Sequence, residues 1–85
     1  MAWDDVSAHK LGTTLRRLRE QRGMTQESLA FQAGLTKNTM QLLEAGRASG
    51  RQDSAAPSNP RLSSLAGLAE ALNISVSDLL TRADM

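Results

Sequence analysis

Eighty-five residues without a cysteine can close one modest hydrophobic core, and they exclude a disulfide framework or a cysteine-based metal site. The net charge is only +1, but it is unevenly spread: eight cations face three anions between His9 and Arg51, a local +5, and both flanks are acidic. The opening MAWDDVSAHK is too acidic and too poor in apolar residues for a signal peptide, and no apolar run approaches a membrane span, so a soluble intracellular chain is expected.

Residues 1–9 read as an N-terminal tail, in which Trp3 either covers one edge of the core or is loose. One domain is expected over residues 10–82, followed by a short C-terminal tail, 83–85. The first helix is predicted from about Lys10 to Gln21, because Leu11, Leu15 and Leu18 recur on one helical face, and Gly23 ends it. A second helix covers about Gln26 to Ala33 and a third about Lys37 to Ala45, stopped by Gly46. The stretch GRASGRQDSAAPSNP, residues 46–60, has the composition of a long loop. Asn59 and Pro60 suit the cap and first position of a fourth helix, which starts at about Pro60 or Arg61 and reaches Leu72 with Leu65, Leu68 and Leu72 inward. Gly67 within it marks close approach of another helix. Asn73 ends that helix, and a fifth spans about Val76 to Arg82. No strand-like alternation or internal repeat occurs, so the chain is expected to be all-α with five helices.

Three of these helices start with the same grammar. Thr25, Thr36 and Ser75 are N-caps, and each is bracketed by an apolar pair: Met24 with Leu29, Leu35 with Met40, Ile74 with Leu79. Glu27 and Asp78 favour the positive ends of their helices, and Ser75 with Asp78 is read as a capping box.

The stretch TQESLAFQAGLTKNTMQLLE, Thr25 to Glu44, carries the most specific signal. Ala30 stands where a larger side chain would hold two helices apart, and Gly34 stands in the turn between them, where a positive φ costs least without a Cβ. Met40 and Leu43, three apart, share one buried face, and Leu29 and Leu35 close the same small core. This is helix-turn-helix spacing, and it leaves the second helix free to enter a DNA groove. Lys37, Asn38 and Gln41 fall on the outward face; each alone is compatible with an ordinary solvated side chain, but together they match the donors and acceptors of base edges. A single isolated His9, no phosphate-cradling glycine loop and no carboxylate pair speak against an enzyme, a metal site or a bound cofactor. Phe31 is expected to flank the first helix rather than to stack on a base.

Over Leu11 to Leu80, in LRRLREQRGMTQESLAFQAGLTKNTMQLLEAG and NPRLSSLAGLAEALNISVSDLL, the chain resembles the Cro/CI-type (XRE family) helix-turn-helix DNA-binding domain. The resemblance implies a compact five-helix, lambda-repressor-like bundle in a bacterial or phage-type cytoplasm. Gln26 then corresponds to the glutamine that clamps a DNA phosphate and braces the recognition helix, while Lys37, Asn38 and Gln41 correspond to base readers. Thr36 and Thr39 are placed for a phosphate or a thymine methyl. Arg19 and Glu44 match a structural ion pair between the first and third helices. The chain departs from the family in the segment after Gly46, some nine residues longer than usual. Arg47 is expected to contact the DNA backbone there; Arg51 either does the same or lies in a disordered insertion. Leu42, where relatives often carry a polar reader, either meets thymine methyls or leans on the long loop.

The resemblance further implies a transcriptional regulator that binds a pseudo-palindromic operator on double-stranded DNA as a homodimer; on the fifth helix, Val76, Leu79 and Leu80 are candidate dimer contacts or, equally, part of the monomer core. It leaves no room for a small-molecule effector domain, so control by concentration, partner or degradation is expected. The alternative is an antitoxin or adaptor that uses the same fold mainly to hold a protein, for which Phe31, Leu42 and the long loop leave space.

Overall fold

The computed structural model describes residues 3–47 and 57–85, which form five helices and no strand. They are α1 (Asp5–Gln21), α2 (Gln26–Ala33), α3 (Lys37–Ala45), α4 (Leu62–Ala71) and α5 (Val76–Arg82). The expected lambda-repressor-like bundle is the one found. None of the described helices is long and apolar enough to cross a membrane.

Two helix starts differ from expectation. α1 begins at Asp5, so Asp5–His9 belong to the helix and not to an N-terminal tail. The reason is local: the Asp4 carboxylate accepts the Ser7 N–H at 2.9 Å, a side-chain cap one turn upstream of the leucine stripe. Ala8 then extends that stripe into the core with Leu11, Leu15 and Leu18. α4 starts later than expected, at Leu62, with Arg61 as its N-cap and no side chain closing the cap; Asn59 and Pro60 lie in the approach to it. The other three caps are as read: Thr25, Thr36 and Ser75 accept from Ser28, Thr39 and Asp78 at 3.0, 3.1 and 2.9 Å. Only one half of the capping box at Ser75 forms, because the Asp78 carboxylate pairs with Arg82 at 3.2 Å.

All five described helices end alike. A residue in the left-handed region follows each one (Gly23, Gly34, Gly46, Asn73 and Asp84), and the chain folds back through paired N–H bonds onto the last turn. In the helix-turn-helix, Gly34 has φ +75°, and the next N–H, of Leu35, reaches the Ala30 carbonyl at 2.8 Å. Met24, Leu35 and Ile74 follow three of these turns and pack against the core, so one apolar residue both closes a helix and staples the next.

The core is built from Leu11, Leu15, Leu29, Met40, Leu68, Leu72 and Leu79, all essentially inaccessible. Leu79 therefore does not offer the dimer contact expected of it: it is 0% exposed within a single chain, whereas Val76 and Leu80 are only partly buried. Two glycines set the helix spacing. A Cβ at Gly12 would lie 2.5 Å from the Leu43 carbonyl oxygen and 2.7 Å from that of Glu44, so α1 and the end of α3 are in backbone contact. Gly67 meets the Ala33 carbonyl in the same way, the close approach of α4 to the end of α2 that its position suggested. Phe31 is 85% exposed and does not flank α1.

Candidate nucleic-acid interface

α3 is anchored by one side and open on the other. Met40 and Leu43 are 0% and 5% exposed, while Lys37, Asn38 and Gln41 are exposed on a single arc of the helix. Two caps hold its ends: Thr36 at the start, and Gly46 at the end, whose N–H donates to Leu43. Thr36 also donates its hydroxyl hydrogen to Thr39 at 2.8 Å, so the two threonines form one polar knuckle beside Lys37.

The tilt of α3 is set by a network around Glu44. Arg19 Nε and Nη2 donate to the two Glu44 carboxylate oxygens at 2.7 and 3.1 Å, a fork-to-fork pair with side chains only 12% and 4% exposed. Arg19 Nη1 donates to the Met24 carbonyl at 2.8 Å, and Gln26 Nε2 donates to Glu44 at 3.0 Å. One carboxylate thus ties α1 and the first residue of α2 to the last turn of α3, and Arg19 adds the α1–α2 turn through Met24. The hydrogen bond to Glu44 raises the Arg19 guanidinium above the usual arginine range, against the opposing effect of burial.

The network also sorts the positive charge. Arg19 is neutralised in place, and Lys10 pairs with Asp84 at 3.1 Å away from α3. Arg16, held only loosely by Glu20 at 3.7 Å, shares a groove with Gln26, Gln41 and Ala45. Thr25, Gln26 and Lys37 line a neighbouring groove, so the N-terminus of α2 lies alongside the exposed polar face of α3.

On the other flank of α3, Thr39, Leu42 and Arg47 share a cavity of about 430 Å³ with Ser58, Asn59, Pro60, Arg61 and Ser64. Of the two readings for Leu42, its geometry matches the second: it is half-buried and faces the returning end of the long loop. Arg47 is exposed at the close of α3. Arg51 lies outside the described residues. Sequence reasoning overlooked Arg16 and Arg61 as members of this surface. Arg16 lies beside three other α1 cations with nothing to single it out, and Arg61 stands in the acidic C-terminal flank, its place here depending on how the chain returns to α4. Among the described residues no cluster of His, Cys, Asp or Glu is arranged to hold a metal ion.

The sequence pattern of the Cro/C1-type HTH DNA-binding domain matches residues 14–84, most of the chain. The chain belongs to that family. Two crystal structures of the clp gene regulator ClgR from Corynebacterium glutamicum are similar to this Cro/C1-type domain. One has 28% identity and a TM-score of 0.75, over 92% of this chain and 72% of ClgR. The other has 27% identity and a TM-score of 0.71, over 99% and 95%. No curated protein sequence matches the chain. Membership accounts for the geometry of the domain: the helix-turn-helix is α2–Gly34–α3.

Proposed function

We propose that this chain is a sequence-specific transcriptional regulator that places α3 in the major groove of double-stranded DNA. The observation that carries the reading is the division of α3: an apolar side locked into the core and a polar side presenting Lys37, Asn38 and Gln41. Lys37 is suited to guanine O6 and N7, and Asn38 and Gln41 to bidentate pairing with adenine. Gln26, Thr36, Thr39 and Arg47, with Arg16 added by its place in the groove, hold the phosphate backbone and set register. Gln26 would join the two tasks, since the amide that faces DNA also braces Glu44.

The protein acts as a homodimer on a pseudo-palindromic operator, with the two α3 helices about 34 Å apart in successive major grooves. Val76 and Leu80 on α5, only partly buried in one chain, are the residues proposed to meet their counterparts. The similarity to ClgR, a gene regulator, supports the regulatory reading.

Selection from random duplex DNA with the purified protein tests all of this. The expected result is a symmetric motif bound with an affinity that falls steeply with salt, as released counterions require. Failure to enrich any motif, or a flat response between low and moderate salt, would remove sequence-specific DNA binding. A single unpaired half-site would remove the homodimer.

A further inference from the structure

We infer that residues Trp3–His9 form a seat for the neck of the long loop, and that Trp3 is a positioning residue for Arg47 on the DNA backbone. The inference rests on the DNA-binding reading above. It concerns a part of the chain that precedes the family pattern, which begins at residue 14.

Four ties meet at this neck. Ser58 N–H donates to the Gly46 carbonyl at 3.0 Å, and Arg47 and Pro57 form an isolated antiparallel bridge, so the chain leaves and re-enters at one point. Gly46 is pressed against α1: a Cβ there would lie 3.3 Å from His9 N and Cα and 3.4 Å from the Ala8 carbonyl carbon. Trp3 completes the closure by donating its indole N–H to the Ser58 carbonyl, with its ring packed against the core. The fourth tie is the Arg47 N–H, which donates to the Leu42 carbonyl at 2.9 Å and makes this residue continuous with the last turn of α3.

The seat exists because α1 starts early. The Asp4 cap begins the helix at Asp5, and this brings Ala8 and His9 under Gly46 and leaves Trp3 pointing back over Ser58. Arg47 therefore has its backbone fixed from both sides, by α3 through Leu42 and by the N-terminus through Ser58. Without the indole bond, the Ser58 carbonyl loses its donor and the re-entering segment at Pro57 and Ser58 loses its outer restraint. A long, flexible arginine makes a phosphate contact only as well as its backbone is placed.

The test uses the full chain, a fluorescently labelled duplex carrying the selected operator, and a temperature at which circular dichroism shows every variant folded. Trp3→Phe keeps a packed ring and removes the N–H; Arg47→Ala removes the phosphate contact. Each is expected to reduce the slope of log affinity against log salt by about 0.9, one phosphate's worth. Between about 50 and 200 mM salt, the affinity loss would then be about 3.5-fold smaller than for the wild type. The double variant should match Arg47→Ala alone, and preference for the operator over scrambled DNA should stay the same, since phosphates carry no base identity. The inference is overturned if Trp3→Phe keeps the wild-type slope, whatever its melting temperature, if the two effects add, or if Arg47→Ala leaves the slope intact. A wild-type protein that binds no duplex overturns the DNA reading itself, and this inference with it.

Discussion

Replacing Glu44 by Ala should be among the most damaging single changes to this protein, although it touches no apolar core atom. The substitution strands an Arg19 guanidinium only 12% exposed, leaves it the Met24 carbonyl alone, and removes the acceptor of Gln26 Nε2. Breaking one side of a buried pair costs about 3–5 kcal/mol, because the surviving charge stays desolvated. A domain of this size holds roughly 4–13 kcal/mol in total. The midpoint of thermal unfolding should therefore fall by roughly 12–40 °C. Urea and thermal denaturation followed by circular dichroism measure it directly. Arg19→Met combined with Glu44→Leu removes both charges and should recover most of the loss. If Glu44→Ala costs less than about 1 kcal/mol, as exposed pairs do, the network does not set the tilt of α3. A double variant as unstable as the single one would show that packing, and not the stranded charge, is responsible.

Three further outcomes are expected. Lys37, Asn38 and Gln41 converted together to Ala should abolish operator preference with a stability change within about 0.5 kcal/mol per site, since all three are exposed; a footprint at the unchanged site would remove them from base reading. Gly12→Ala should lower the urea midpoint by the equivalent of about 2 kcal/mol. Overpacking against the Leu43 and Glu44 carbonyls at 2.5 and 2.7 Å outweighs the helix propensity gained, so an unchanged midpoint would contradict the backbone contact. The Asp4 carboxyl is held below its ordinary 3.8, chiefly by the Ser7 backbone N–H. Its cap is therefore complete above that value and lost as pH falls through the lower folded-state pKa. Asp4→Asn should remove this acid limb from a series of melts between about pH 5 and 2, and an identical limb in the variant would assign it to other carboxylates.

Much of the molecule is determined locally, and so could be read from residue order. Thr25, Thr36 and Ser75 cap through an oxygen three residues from its donor; Gly34, Gly46 and Asn73 turn the chain within two residues. The same holds for the division of α3, because helical periodicity alone separates Met40 and Leu43 from Lys37, Asn38 and Gln41. The Arg19–Glu44 pair was reached by resemblance rather than by any local rule. Most of what escaped was non-local. That Leu79 is buried depends on how α5 docks; the early start of α1 at Asp5, by contrast, follows from the local Asp4 cap. Gly12 looks like a weak helix residue until the carbonyls of α3 arrive beside it.

By itself, then, the order of residues decided which segments coil, where they stop and which side of each is apolar, because caps, turns and periodicity act within a few residues. Only the packed chain decided that Arg16 and Arg61 line the grooves beside α3, that Glu44 gathers three segments, and that Trp3 meets Ser58 fifty-five residues away. Those contacts join segments far apart in sequence, and no local rule brings such segments together until the core has closed.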